Sequence, residues 1–267
     1  MNTLTPLALR LAEIRSEGRA ALIGYLPAGF PSVEGSIAAM KAMIKGGVDA
    51  IEVGFPYSDP VMDGPTIQLA ADRALANGTR ASDVLRIVSE ISKTGTPVVV
   101  MTYWNPVLRY GVPDFARDLV SAGGSGLITP DLTIDEGGEW LSAAQAHSLD
   151  PIFVVAPSTN DERLTKVTAA CRGFVYAAST MGVTGARASV SSSAEMLVRR
   201  VRATTELPVC VGLGVSTADQ ANEVARYADG VIVGSAFVRA LLDAPDLATG
   251  LTAVEELARS LAKGVRR

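Results

Sequence analysis

The chain is poor in the residues that most often carry metal or covalent chemistry. Its 267 residues include one histidine, His147, and two cysteines, Cys171 and Cys210. A histidine-based metal centre and a Ser-His-Asp triad are excluded, because His147 falls in a predicted helix rather than at the end of a strand. The cysteines lie far apart in apolar segments, which indicates a reduced, cytoplasmic protein without a nucleophilic thiol.

Clustered positive charge and long apolar runs are also lacking. The net charge is −4 and no basic cluster stands out, so nucleic-acid binding is not expected. No apolar stretch approaches the roughly 20 residues of a membrane span, and no signal-peptide core is present. A Schiff base is not expected either, because no lysine lies at the C-terminal end of a predicted strand. The lysines are Lys41, Lys45, Lys93, Lys166 and Lys263.

Apolar segments and helical patterns alternate along the whole sequence. Helical patterns separate most of the apolar segments; Ser32, for example, can cap a helix that ends at Gly46 and Gly47. Because no linker divides these units, we predict one domain over residues 1–267. Apolar, often β-branched runs, which predict strands, occur at 20–27, 49–54, 97–103, 125–129, 151–156, 173–178, 208–212 and 229–234.

About eight strand-plus-helix units favour a (β/α)8, or TIM, barrel. An open, doubly wound sheet is the alternative, but no Gly-x-Gly-x-x-Gly follows the first predicted strand. An extra N-terminal helix with Leu7, Leu11 and Ile14 on one face could cover the barrel floor. In such barrels the functional groups lie at the C-terminal ends of strands and in the loops that follow.

Two carboxylates fall on that side of the predicted barrel. Glu52 interrupts the apolar run 50–54, and Asp63 lies in the Pro- and Gly-rich segment 55–65. An unpaired Glu52 would be costly to bury unless its pKa moved towards the neutral form, so the two carboxylates make a plausible acid/base pair. The alternative is that backbone donors satisfy Glu52 and that Asp63 only caps a turn.

Small residues near the end of the chain predict a phosphate site. The seventh strand leads into Leu213-Gly214, and the eighth leads through Gly234-Ser235 directly into a predicted helix. Such residues let backbone N–H groups approach phosphate oxygens, although plain turns have the same composition. A further small, polar segment, 179–193, predicts a mobile surface loop that is either a lid or a simple connection. With metal, thiol and Schiff-base chemistry excluded, the sequence predicts an enzyme that transfers protons on a phosphorylated compound.

Five segments together form a highly specific pattern: Glu52-Val53-Gly54-Phe55-Pro56-Tyr57-Ser58-Asp59-Pro60, Asp63-Gly64-Pro65-Thr66-Ile67-Gln68, Tyr25–Pro31, Gly182–Gly185 and Gly234-Ser235. Through these motifs, and over essentially its whole length, the sequence resembles the tryptophan synthase alpha chain family. The resemblance implies a (β/α)8 barrel that cleaves indole-3-glycerol phosphate to indole and glyceraldehyde 3-phosphate, a retro-aldol reaction of tryptophan biosynthesis. It also implies that this chain has no cofactor, because pyridoxal phosphate belongs to a beta chain partner.

The resemblance also implies roles for individual residues. Glu52 would transfer the protons at indole C3 and at the side-chain hydroxyl, while Asp63 would accept the indole N–H. Thr184, in a closing loop, would help to orient Asp63. The phosphate would be held by Gly185, Gly214, Gly234 and Ser235. The pocket would be lined by Tyr25, Tyr103 and Tyr176.

Contact with the beta chain is implied for the loop Pro56–Asp59 and for the segment around Asn105, in an α2β2 heterotetramer. Tyr25 stands where phenylalanine is common, which adds a hydroxyl to the pocket, whereas Met62 and Met181 replace other residues without removing a chemical group. Three alternatives stay open: a stand-alone lyase that releases free indole, a non-catalytic subunit that activates a beta chain, and another phosphate-binding barrel.

Overall fold

The structure is a computed structural model that describes residues 4–178 and 187–266. Eight parallel strands form a closed barrel in their order along the chain, and the last pairs with the first. The barrel prediction is therefore confirmed, and the open-sheet alternative is wrong. The strands are β1 (Ala21–Pro27), β2 (Ala50–Gly54), β3 (Val98–Met101), β4 (Gly126–Thr129), β5 (Asp150–Val155), β6 (Val175–Ala178), β7 (Val209–Gly212) and β8 (Gly230–Val233).

Helices surround the barrel and connect successive strands. They are α1 (Pro6–Ser16), α2 (Val33–Gly46), α3 (Pro65–Ala76), α4 (Ala81–Ser92), α5 (Trp104–Tyr110), α6 (Val112–Ser121), α7 (Gly138–His147), α8 (Asp161–Ala170), α9 (Arg187–Arg202), α10 (Ala218–Ala225), α11 (Ser235–Leu242) and α12 (Leu247–Gly264). Within the described ranges, no helix is long and apolar enough to cross a membrane.

The ends of α2 show how local sequence sets the element boundaries. Ser32 Oγ accepts a 3.0 Å hydrogen bond from the N–H of Gly35, so Ser32 is the predicted N-cap. Gly47 follows the helix at φ 106°, a left-handed conformation that glycine adopts without steric cost. Asp83 lies inside the first turn of α4 and accepts the N–H of Arg80 at 2.9 Å.

Helix α1 covers the floor of the barrel, as predicted. Its buried residues Leu7, Leu11 and Ile14 belong to one apolar cluster with inward-facing residues of the strands. Burial of each such side chain stabilises the fold by about 1.5–3 kcal/mol, so α1 is part of the core. The opposite end of the barrel, where the strands terminate, is left for a site. The strand residues of the cluster are Ala21, Ile23, Ala50, Val99, Ile128, Ile152, Cys210 and Ile232, with Phe174 just before β6.

Two buried aspartates anchor the floor in different ways. Asp49 accepts hydrogen bonds from Arg19 at 2.7 and 2.8 Å and from Arg10 at 2.8 Å. Burial alone would raise the pKa of Asp49. The hydrogen bonds that Asp49 accepts, of which the one from Arg19 has the largest effect, outweigh burial and hold the pKa below its ordinary value. Asp150 accepts a 2.5 Å bond from Thr5 Oγ1, and burial raises the pKa of Asp150 to about 6.

The prediction of a loop over 179–193 is wrong for its second part. Helix α9 begins at Arg187, so residues 187–193 are helical. Serine costs a helix only about 0.5 kcal/mol relative to alanine, and packing overrides that preference here. The rest of α9 packs through Ala194, Leu197, Val198 and Val201, all of which are buried. Residues 179–186, with Met181, Thr184 and Gly185, lie outside the described part of the chain.

Candidate active site

Glu52 lies inside the barrel near the C-terminal end of β2. It is fully buried, and its strand neighbours in register are Tyr25 on β1 and Val99 on β3. Neither carboxylate oxygen has a hydrogen-bond partner within residues 4–178 and 187–266. The interpretation of Glu52 as a residue satisfied by backbone donors is therefore wrong, and a buried carboxylate without partners is a mark of a functional site.

Burial controls the protonation of Glu52. It raises the pKa of this carboxyl to about 8, and the negative charge of Asp63 contributes further to the rise. Glu52 therefore holds its proton at neutral pH, yet the pKa is close enough to neutrality for the proton to leave and return. This is the property that a general acid and base requires.

Asp63 lies in the coil between β2 and α3, and two contacts fix this part of the loop. The backbone carbonyl of Asp63 accepts a 2.8 Å hydrogen bond from Gln68 Nε2, and the N–H of Met62 donates to Tyr103 Oη at 3.0 Å. Burial raises the pKa of the Asp63 carboxyl, whereas its interaction with the Tyr103 hydroxyl lowers it. Asp63 thus stays on the same side of the barrel as Glu52, on a loop that begins at the end of the same strand.

The three tyrosines that are predicted to line the pocket lie on or just after strands of the barrel. Tyr25 and Tyr176 are half-buried on β1 and β6, and Tyr103, which precedes α5, is 5% exposed. Burial and the charges of Asp63 and Glu52 raise the pKa of Tyr25. Burial also raises the pKa of Tyr103 and of Tyr176, so the hydroxyls of all three tyrosines stay protonated. The three rings supply the flat apolar surface that an aromatic ligand requires.

Glycines make room for two of these rings. A Cβ on Gly54 would lie 2.4 Å from Tyr25 Oη, and one on Gly212 would lie 2.5 Å from Tyr176 Oη. A Cβ on Gly234 would approach Tyr25 Cδ1 to 2.8 Å. Sequence reasoning placed Gly212 in the predicted phosphate segment 211–215 and Gly54 in a family motif, but it did not connect either glycine with a tyrosine ring. The strand alternation could have found Gly54, because it places this residue on the same face as Glu52.

Three of the predicted phosphate residues follow the ends of β7 and β8. Gly214 follows β7 at φ 67°, a left-handed conformation that favours glycine. Gly234 is the N-cap of α11, and Ser235 is the first residue of that helix. The first N–H groups of a helix have no intrahelical partner, and no side chain of the described residues caps α11. These N–H groups and the helix dipole can attract an anion without a lysine.

Residues predicted to contact a partner lie beside this mouth. The side chains of Asp59 and Asn105 are exposed, whereas Pro56 is buried within the chain. Tyr57, which sequence reasoning did not single out, accepts a 3.3 Å hydrogen bond from Asn105 Nδ2 and packs against Tyr103. Pro56 therefore supports the loop from inside the protein. Asp59 on the loop and Asn105 on α5 are the accessible residues of this surface.

The groups that sequence reasoning excluded lie away from the mouth or are inert. Cys171 and Cys210 are buried free thiols, and burial raises the pKa of Cys171 to about 12. His147 ends α7, and all five lysines lie on helices or at a helix end. Within residues 4–178 and 187–266, no three His, Cys, Asp or Glu side chains are grouped to bind a metal.

Comparison with known proteins gives consistent matches along almost the whole chain. A family model described as tryptophan synthase alpha chain matches residues 11–266. The tryptophan synthase alpha chain of Streptomyces avermitilis is 62% identical over 96% of this chain and 93% of its own length. That of Salinispora tropica is 60% identical over 98% of both chains.

Solved structures agree with this result. Tryptophan synthase from Mycobacterium tuberculosis, in an open form with BRD0059 bound, superposes with a TM-score of 0.91 and 54% identity, over 98% of this chain and 99% of that one. The alpha subunit from Legionella pneumophila superposes with a TM-score of 0.90 at 32% identity, covering 98% and 99% of the two chains. The architecture is thus shared even where two thirds of the residues differ.

Proposed function

This chain belongs to the tryptophan synthase alpha chain family, and we propose that Glu52 and Asp63 are the two residues that carry out its reaction. It is a carbon–carbon lyase of tryptophan biosynthesis that cleaves indole-3-glycerol phosphate to indole and glyceraldehyde 3-phosphate. It works with a beta chain, which contains the pyridoxal phosphate; the alpha chain has no cofactor of its own. The observation that carries the assignment is the buried, unpartnered carboxyl of Glu52, with its pKa of about 8, beside the loop of Asp63.

The proton held by Glu52 starts the reaction. Glu52 donates it to indole C3, which makes the ring cationic and turns it into an electron sink. The resulting carboxylate then takes the proton of the side-chain hydroxyl next to the bond that breaks. The C3–C1′ electron pair returns to the ring as the hydroxyl carbon becomes the aldehyde, so Glu52 ends the cycle protonated, as it began.

Asp63 stabilises the charge that develops between these steps. While C3 is protonated, the indole N–H carries positive charge, and a carboxylate that accepts this N–H lowers the energy of the cation. Its pKa is raised, but the Tyr103 hydroxyl opposes the rise and so favours the charged form. The two carboxyls thus divide the work: Glu52 moves protons, and Asp63 keeps its negative charge.

The rest of the mouth binds substrate. The N-terminus of α11 with Gly234 and Ser235, together with Gly214, holds the phosphate through backbone N–H groups. By family resemblance, Gly185 also contacts the phosphate, and Thr184 orients Asp63. The rings of Tyr25, Tyr103 and Tyr176 line the indole and glycerol parts of the pocket.

The exposed loop surface with Asp59 and Asn105 contacts the beta chain in an α2β2 heterotetramer, and the buried Pro56 supports this surface from within. All residues of the chain, 1–267, form one (β/α)8 domain, for which the closed barrel and the family match over residues 11–266 are the support. The cytoplasm is the location, in keeping with two free, buried cysteines.

The test is the release of indole from indole-3-glycerol phosphate by the pure chain, alone and with a beta chain. Glu52→Gln keeps the shape but not the proton transfer, and it should lower kcat by about 10²–10⁴-fold in both states. Asp63→Asn should also lower kcat, since it removes charge stabilisation. The control is Glu162→Gln on the exposed face of α8, which should be as active as the wild type.

The family match removes the alternative of another phosphate-binding barrel, and the two remaining alternatives give distinct results in this assay. Wild-type turnover in Glu52→Gln would show that the assignment is wrong. Fast release by the chain alone, with no increase on adding a beta chain, would indicate a stand-alone lyase. No release by the wild type in either state, with normal stimulation of the beta chain, would indicate a non-catalytic activating subunit.

A further inference from the structure

Two tyrosine rings connect the surface beside the barrel mouth to Asp63. Tyr57 lies in the loop after β2, and Tyr103 immediately precedes α5. Their ring centroids are 5.2 Å apart, and the rings are tilted by 33°. Aromatic pairs at this distance are in contact and contribute about 0.5–1.5 kcal/mol beyond their buried area. A displacement of one ring therefore acts directly on the other.

The inner ring holds the loop at Asp63. Tyr103 is almost completely buried, and its hydroxyl accepts the N–H of Met62, the residue before Asp63, at 3.0 Å. Burial, and after it the charge of the Asp63 carboxyl with which the same hydroxyl interacts, raise the pKa of Tyr103. One tyrosine side chain thus contacts both the backbone that carries Asp63 and the charged group itself.

The outer ring ends at the surface. The Tyr57 hydroxyl accepts a 3.3 Å hydrogen bond from Nδ2 of Asn105, whose side chain is exposed on the first turn of α5. Asp59, two residues beyond Tyr57, is exposed as well. A protein docked over Asp59 and Asn105 would therefore meet the amide that holds the Tyr57 hydroxyl.

We propose that Tyr57 is a positioning residue that transmits docking of the beta chain at Asn105 through the Tyr103 ring to Asp63. The proposal rests on the proposed function, which assigns Asp63 to the reaction and Asn105 to the interface. Between β2 and α3 the chain has no regular structure in residues 55–64, so side-chain contacts set the position of Asp63. A change at one end of the ring pair shifts the balance of these contacts at the other.

The variants are Tyr57→Leu, which removes the ring contact, and Tyr57→Phe, which removes only the hydrogen bond to Asn105. The matched control is Tyr110→Phe, because Tyr110 lies on α5 as Asn105 does, packs edge-to-face on Phe115 and donates its hydroxyl to Asp118. Because Tyr57 contacts Tyr103 in the isolated chain as well, the activity of each variant with a beta chain is compared with the activity of the same variant alone.

The first measurement is the activation of indole release by saturating beta chain. In Tyr57→Leu the activation should fall by about three- to tenfold, in kcat rather than in KM, which is the range that an aromatic contact supports. Tyr57→Phe should lose less of the activation than Tyr57→Leu. The double variant with Asn105→Ala should lose no more than Tyr57→Phe alone, because both substitutions remove the same hydrogen bond. Full activation of Tyr57→Leu at saturating beta chain would overturn the proposal.

A second measurement does not depend on turnover. Hydrogen exchange of the Met62 amide reports its bond to Tyr103, so binding of the beta chain should change this exchange rate in the wild type and in Tyr110→Phe but not in Tyr57→Leu. If the wild type released no indole, the proposed function would fail, and the exchange data would still decide the coupling. An identical exchange response in Tyr57→Leu and the wild type would show that the ring pair transmits nothing.

Discussion

The hydroxyl of Thr5 donates a 2.5 Å hydrogen bond to the buried carboxylate of Asp150 and also caps α1 by accepting the N–H of Ala8 at 3.1 Å. One side chain thus joins the first turn of α1 to the first residue of β5. Because this bond is made by the floor helix, protonation of a strand residue is linked to the docking of α1. The pH dependence of stability should reveal the link.

Asp150 should make the fold less stable as pH rises. Its pKa is raised from 3.8 to about 6 by burial, so the folded state binds this proton more tightly than the unfolded state does. Its contribution is fully present below about pH 4 and is lost as pH rises to about 6. Asp150→Asn removes the titration, and its free energy of unfolding relative to the wild type should increase by about 3 kcal/mol from pH 4 to pH 8. Urea unfolding at both pH values measures this, and a constant difference would contradict the prediction.

Asp49 should behave in the opposite sense. Its pKa lies below 3.8, chiefly because of Arg19, so its stabilising contribution is present above that pH and is lost as pH falls further. Arg19→Leu leaves a buried carboxylate with fewer donors and should cost about 3 kcal/mol at pH 7. The control is Arg117→Leu, whose ion pairs with Asp114 and Asp118 are exposed and should matter little. Equal losses in both variants would contradict this assignment.

The pKa of Glu52 should depend on Asp63 but not on other carboxylates of the same loop. The charge of Asp63 contributes to the rise to about 8, so Asp63→Asn should lower the titration midpoint of Glu52. Infrared difference spectra of the carboxyl stretch, with Glu52→Gln as the reference, measure this midpoint in the isolated chain. Asp59→Asn, at an exposed position of the same loop, should leave it unchanged. A fall in both variants would point to a general effect of the loop.

Gly54 and Gly212 should respond differently when the facing tyrosine loses its hydroxyl. A Cβ on Gly212 meets mainly Tyr176 Oη, with ring carbons at 3.0 and 3.1 Å, so Tyr176→Phe should recover much of the melting temperature that Gly212→Ala loses. A Cβ on Gly54 also lies 2.6 and 2.7 Å from ring carbons of Tyr25, so Tyr25→Phe should recover little. Thermal unfolding of the single and double variants tests the contrast, and equal recovery in the two pairs would contradict it.

The strands could be predicted because each is an apolar run bounded by turn residues, and parallel strands buried on both faces are read directly from such runs. Glu52 could be singled out for the same reason, since a charge stands out in an apolar strand. The serines at 191–193 misled the prediction of α9, because their low helix preference is outweighed by packing of the residues that follow. The sequence does not reveal which distant residues share the floor, so the Thr5–Asp150 bond could not be foreseen.

The site was predictable only in part for a similar reason. Family motifs mark Asp63 and Ser235, but the contact between Tyr57 and Tyr103 depends on how the loop after β2 folds over the start of α5. Likewise, a Cβ at Gly212 lacks room only because Tyr176 on the neighbouring strand lies against this residue. Such pairs are set by the three-dimensional arrangement of side chains rather than by spacing along the chain.

Pairing of β8 with β1 also has a consequence for how the chain is made. During synthesis β1 leaves the ribosome early, and Ala21–Gly24 must wait for Gly230–Val233 before their second edge is paired. Until then the barrel is open, so the inward-facing residues of the early strands and the apolar face of α1 are not yet buried. Sheets completed by such distant partners fold slowly and expose aggregation-prone edges. The closed barrel leaves the described strands without a free sheet edge, but the nascent chain lacks that closure until β8 is made. Slowed translation before β8 should therefore lower the yield of native protein.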